Sequence, residues 1–178
     1  MKRIATIFFF ILVPLFATAQ EKELFSIERT YFLAGQTEYN IKERSFRCLL
    51  EVEKKFPELT WIGGSRSETA SVSFPFRDIT INGHLYSIAY SFFIEITAHK
   101  EKYDVSLSNL LVTAYKGRRQ LFAVQDIPVN EDTYYSGAFR YPKQRETIIE
   151  VSKEIKKIAA ADFEYLLPSI REYMSGKR

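Results

Sequence analysis

TASVSFPFRDITINGHLYSIAYSFFIEITAHKEKYDVSLSNLLVTAY, residues Thr69 to Tyr115, decides the fold. In its middle, Tyr86, Ile88, Tyr90, Phe92, Ile94 and Ile96 alternate with Ser87, Ala89, Ser91, Phe93, Glu95 and Thr97. A period of two puts one set on each side of a β-strand, whereas a helix would scatter them around its surface. The preceding stretch alternates too. Ala70, Val72, Phe74 and Phe76 form its apolar set, against Thr69, Ser71, Ser73 and Pro75. Asn82-Gly83 separates the two strands.

A two-residue Asn-Gly loop pairs Ile81 with His84, which sets Val72 opposite Phe93 and puts the two apolar faces on opposite sides. A one-residue slip flips every side chain, so the register needs a correction. A three-residue loop, Ile81-Asn82-Gly83, supplies it and is the simpler reading. The alternative is a bulge near Pro75, a residue type confined to sheet edges and bulges. Either way Val72 faces Phe92 and Phe74 faces Tyr90. The next turn spans His99 to Lys102, and an even-length loop puts Tyr103, Val105 and Leu107 on the face of Ile94 and Ile96. Leu110, Leu111 and Val112 run together, so both faces are covered there or the strand bulges.

Outward from this meander, Phe25, Ile27, Tyr31 and Leu33 suggest a first strand, with Arg29 at one inward position. Asn40 followed by Glu43 has the spacing of a helix N-cap and its partner, and the helix runs to Phe56, before Pro57. Phe46, Leu49, Val52 and Phe56 form its apolar stripe. Leu59 to Ile62, with the only tryptophan, reads as a brief strand, and Leu121 to Val124 as an added edge strand. Glu146 begins a last helical region with Ile148, Val151, Ile155, Phe163 and Leu166 on one side; Pro168 is expected to kink or restart it. The fold class is α+β: a two-layer, curved antiparallel sheet of about five strands in the order β-α-β-β-β-β-α, with both helices on one face. The other face, with Ser71, Ser73, Ser87, Ala89, Ser91, Glu95 and Thr97, is left open.

The chain of 178 residues suits one domain, and its 46% hydrophobic and 26% charged content is that of a globular protein. Lys2 and Arg3, the apolar run Ile4 to Phe16, and Ala17-Thr18-Ala19 have the charge, length and cleavage site of a secretory signal peptide. Residues 1–19 are therefore expected to be removed, leaving one domain over 20–178. The product is expected to be periplasmic or secreted and, with no cysteine at the cleavage site, not a lipoprotein. The apolar run is too short to span a membrane comfortably. Loss of Lys2 and Arg3 takes Lys+Arg from 25 to 23 against 22 acidic residues, so the formal charge falls from +3 to +1. That near-neutral balance gives no support to nucleic-acid binding. Cys48 is the only cysteine, which excludes an internal disulfide; its helical, apolar setting marks a buried inert thiol.

The order of elements resembles a domain family of unknown function from Bacteroidetes-type bacteria, exported and with a TATA-binding-protein-like fold. The resemblance rests on the signal sequence, a strand, a helix near Tyr39-Asn40, the meander Ala70 to Tyr115 and a closing helix around Ile155 to Met174. It implies a curved sheet with helices on the convex side and a bare concave face. The family brings no activity and no catalytic residues to transfer.

No catalytic or metal signature stands out. His84 and His99 flank opposite turns and are too far apart to share a metal. Gly63-Gly64-Ser65 lacks the spacing of a nucleophile elbow or a phosphate loop. Lys116, Arg118 and Arg119 read as a charged turn guarding a sheet edge. The expected function is a non-enzymatic binding module for a protein, peptide or envelope ligand, with no cofactor. The alternatives are a secreted enzyme with a loop-built site, using His99 or Glu95, and an inhibitor-like domain. The candidate binding residues are Ser71, Ser73, Ser87, Ser91, Glu95 and Thr97 on the open face. Tyr134, Tyr135, Phe139, Arg140 and Tyr141 join them from a long aromatic loop.

Overall fold

The computed structural model describes residues 25–63, 68–124 and 142–176. The elements are β1 (Ile27–Phe32), α1 (Glu38–Glu53), β2 (Thr60–Gly63), β3 (Thr69–Ile81), β4 (His84–His99), β5 (Lys102–Lys116), β6 (Arg119–Val124) and α2 (Pro142–Ser175). The strands form one antiparallel sheet in the order β1-β5-β4-β3-β2. β6 makes it six-stranded: it pairs with the second half of β5's outer edge, while β1 pairs with the first half.

One face of the sheet is covered. Val72, Ile88, Phe92, Ile94, Ile96, Val105, Leu107 and Leu110 are fully buried, in one cluster with Leu49 and Cys48 of α1 and Ile155, Phe163 and Ile170 of α2. The rings of Phe92 and Phe163 meet edge to face at 6.5 Å. Both helices therefore lie on the same face; the α1 stripe is corrected, with Ile41, Ser45 and Cys48 buried beside Leu49 and Val52, and Phe46 outside the core cluster.

The three-residue loop expected at Ile81-Asn82-Gly83 is corrected: the alternative, a bulge at Pro75, restores the register. The turn is a two-residue one, with Ile81 opposite His84 and positive φ at both Asn82 and Gly83. Asparagine and glycine are the residues that adopt this mirror-image turn at least cost. The missing residue is supplied between Phe74 and Arg77, where Pro75 and Phe76 together oppose Ala89. Val72 lies opposite Phe92 and Phe74 opposite Tyr90. The expected placement of Phe76 is corrected: the bulge turns it to the open side, where it is 66% exposed. A second bulge sets Asn109 and Leu110 opposite Phe92, which explains the apolar run after Asn109. Asn109 takes the left-handed conformation, with φ 51°, and lies exposed while Leu110 is buried. Two bulges flanking the middle of β4 bend the sheet there.

The helix ends differ from expectation. Thr37, not Asn40, caps α1: its hydroxyl accepts from the Asn40 N–H at 3.2 Å. α2 begins at Pro142 and continues through Pro168 to Ser175 without a break. It is pinned along its length by side chains from the sheet. Asn82 donates to Glu150 at 2.8 Å, Arg77 and the Tyr90 phenol both reach Asp162, and Arg29 pairs with Glu164 at 2.6 Å. Arg29 thus keeps an inward position on an edge strand because a carboxylate meets it there. Burial first, and then the bond to Asp162, hold the Tyr90 phenol well above its usual pKa. Cys48 is buried against the Ile170 carbonyl, and burial pushes its thiol up to about 12, so the inert reading holds.

Candidate functional site

The open face can be laid out row by row from the register. Ser71, Phe93 and Ser108 form one row with Ile62 of β2. Thr60, Ser73, Ser91 and Leu111 form the next, and Ala89 with Thr113 the one after. Between the two bulges these small side chains leave a shallow depression of about 340 Å³, lined by Ser73, Ala89, Ser91, Leu111 and Thr113 over the backbone of Phe74 and Tyr90. Its borders are aromatic. Phe93 stands on one side; on the other, Phe76 reaches across β4 to the Tyr115 ring, 5.8 Å between centroids.

The site residues expected from sequence fall out unevenly. Ser73 and Ser91 are directly opposed and line the depression. Ser71 lies one row away beside Phe93. Ser87 is engaged locally, donating its hydroxyl to Asp78. Glu95 and Thr97 lie toward the β4–β5 turn, opposite Ser106 and Asp104. Tyr134, Tyr135, Phe139, Arg140 and Tyr141 lie outside the described residues. Periodicity alone missed Phe76, Leu111, Thr113 and Tyr115. Pro75 and the Leu110-Leu111-Val112 run were the available signals, since each marks the bulge that moves the neighbouring side chain.

A second polar group sits at the far end of the same face. Asp104 accepts from the Thr30 hydroxyl at 2.6 Å and faces His99 Nε2 at 2.7 Å. Burial opposes the Asp104 charge, but Thr30, His99 and Lys102 outweigh it and hold the carboxyl below its ordinary value. Chemically this differs from a nucleophile–base–acid chain. The hydroxyl and the imidazole both address the carboxylate, so His99 is not placed to take a proton from Thr30. Neither His99 nor Glu95 lines the depression or the grooves beside α2. His84 and His99 stand at the two ends of β4, roughly 3.3 Å per residue apart along the strand. Among the described residues no three His, Cys, Asp or Glu side chains are grouped to hold a metal.

A pH prediction follows from Asp104. Its folded pKa is depressed, so its contribution to stability is present above the ordinary value of 3.8 and is lost as pH falls through the lower folded value. Urea midpoints followed downward from neutral pH should show wild type exceeding Asp104→Asn near neutrality. The gap should close below pH 3.8. A gap that persists unchanged into strong acid would contradict this assignment.

In overall structure the chain is similar to a TBP-like protein from Parabacteroides distasonis ATCC 8503, with 10% identity and a TM-score of 0.44 over 82% of this chain and 92% of that one. It is also similar to a DUF4468 family protein from Bacteroides ovatus ATCC 8483, with 10% identity and a TM-score of 0.48 over 83% and 86%. No family model matches the chain. No curated protein matches it either. No helix among the described residues is long and apolar enough to cross a membrane.

Proposed function

We propose that this chain is an exported, non-enzymatic binding module that presents the open face of its sheet to a protein, peptide or envelope ligand. The observation that carries the reading is the depression between the bulges. Ser73, Ser91 and Thr113 form its floor with Ala89 and Leu111, and the exposed Phe76 and half-buried Phe93 and Tyr115 rings form its rim. Such a surface takes an apolar side chain between Phe93 and Phe76, while Ser73, Ser91 and Thr113 offer donors and acceptors beneath it. Ile62 and Phe76 are 67% and 66% exposed on this face, beyond what a sheet needs for its own stability. The N-terminal charge and apolar pattern supports export.

Filling the depression tests the proposal. Ser91→Trp adds bulk on the open side and is expected to shift stability by less than about 1 kcal/mol. Partners recovered from envelope extract by the wild-type chain, and identified by mass spectrometry, should bind Ser91→Trp at least about tenfold more weakly. Retention of every such partner at full affinity would refute the placement.

A further inference from the structure

We propose that the outer edge of β1, together with the groove between it and the C-terminal half of α2, accepts an extended peptide as an added strand and holds a carboxylate of that peptide on Arg171. Among the described residues no strand pairs with this edge. Its hydrogen-bonding state can be read from one bond: the Leu33 N–H donates to the Glu101 carbonyl at 2.8 Å. The β1–β5 register is constant, so Ile27, Arg29 and Tyr31 turn their backbone groups toward β5. Those of Glu28, Thr30 and Phe32 therefore point outward; the Glu28 carbonyl accepts from Arg29 Nη1 at 3.0 Å, which leaves the donors and acceptors of Thr30 and Phe32 ready for a partner strand.

A cavity of about 530 Å³ lies against these groups, between residues Thr30 to Leu33 and the α2 residues Pro168, Arg171 and Glu172. A strand laid along β1 would direct alternate side chains into it, over Tyr31 and the buried Tyr103, whose rings lie 5.3 Å apart. Backbone pairing beside side-chain pockets is the general form of recognition by strand addition. The charge of the groove selects the peptide. Glu172 is neutralised by Lys55 at 2.6 Å, and Arg29 by Glu164 at 2.6 Å. The Arg171 guanidinium stacks on Tyr31, 5.1 Å from the ring centre, and has no carboxylate partner among the described residues. The uncompensated charge facing the groove is therefore positive, and a planar guanidinium fixed on a ring suits a carboxylate.

The test uses fluorescein-labelled octapeptides in which Val, Ile and Tyr alternate with Ser and Thr. One set ends in a free carboxylate and a matched set in an amide. Free-acid peptides should bind the wild-type chain by anisotropy, and the amides about tenfold more weakly. Arg171→Gln should remove that difference. Phe32→Pro removes an outward N–H and should abolish binding, whereas Phe32→Ala keeps the N–H and should stay within about threefold of wild type. Should Phe32→Pro fail to fold, amide shifts in the wild-type chain decide: Thr30 and Phe32 must move on titration. No binding by any octapeptide, equal binding of acid and amide, or shifts confined to the Ser73–Ser91 depression would overturn the proposal. So would self-association of the chain through β1. Ser91→Trp should leave peptide binding at β1 unchanged, which separates this site from the open-face one.

Discussion

Deletion of Ala89 is expected to unfold the domain, although Ala89 faces the open side and contributes little to the core. The reason is phase. β4 is central, paired with β3 on one side and β5 on the other. Removing one residue from its middle puts Ile88 and Tyr90 on opposite faces, because side-chain direction alternates at every step. Either Tyr90, Phe92, Ile94 and Ile96 or the Tyr86–Ile88 end must leave the core. Each large apolar side chain is worth roughly 1.5–3 kcal/mol when buried. Losing the four costs roughly 6–12 kcal/mol, on the order of the whole stability of a domain, about 5–15 kcal/mol. Losing Tyr86 and Ile88 instead also pulls the ends of β3 and β5 paired with them, at Ile79 and Ala114, out of the core. The matched control is deletion of Pro75. That residue is the extra one opposite Ala89, so its removal converts the bulge to regular pairing. Phe74 stays opposite Tyr90 and Arg77 opposite Ile88. The cost should be about 2 kcal/mol or less, with a flatter sheet as the structural change. Near-UV circular dichroism and urea unfolding distinguish the two. Equal stability of the two deletions would show that register does not control this fold.

The second large effect concerns adjacent phenylalanines. Phe92→Ala should lower stability by about 3–5 kcal/mol, the usual cost of emptying a fully packed aromatic site. Phe92 is fully buried and touches the rings of Phe74 and Phe163, so it joins β3, β4 and α2. Phe93→Ala, one residue on, should cost less than about 1 kcal/mol, because its ring stands on the open face. It should instead weaken any ligand held at the depression. A large stability loss from Phe93→Ala would mean that the open face is covered in the folded protein.

The contrast between these two residues shows how the open face acquires its character. Glycine is not needed there, and neither is a catalytic group. Serine, alanine and threonine keep the middle of the face low, while Phe93, Phe76 and Tyr115 raise its borders. The bulges decide where the low region lies, since both fall beside residues 89–92 of β4. At the other end of the sheet, Thr30, Asp104 and His99 tie β1, β5 and β4 together across the β4–β5 turn. That cluster spends its polar groups on one another, consistent with a structural role.

The sequence by itself determined the two faces of the meander, the pairing of Val72 with Phe92 and of Phe74 with Tyr90, the single inert thiol and the need for one extra residue between Phe74 and His84. These are local or period-two properties, dictated by the alternation of side chains along an extended backbone. It favoured placing the extra residue in a three-residue turn at Ile81-Asn82-Gly83 over a bulge at Pro75, and that choice is overturned; both satisfy the same parity, so local pattern does not decide between them. Only the tertiary structure placed it at Pro75, turned Phe76 outward and set Leu111 and Thr113 beside Ser91. It alone brought Arg171 over Tyr31 and left the β1 edge beside α2 unpaired. Those contacts join positions far apart in the chain, and no spacing in a single sequence encodes which helix will lie along which strand edge.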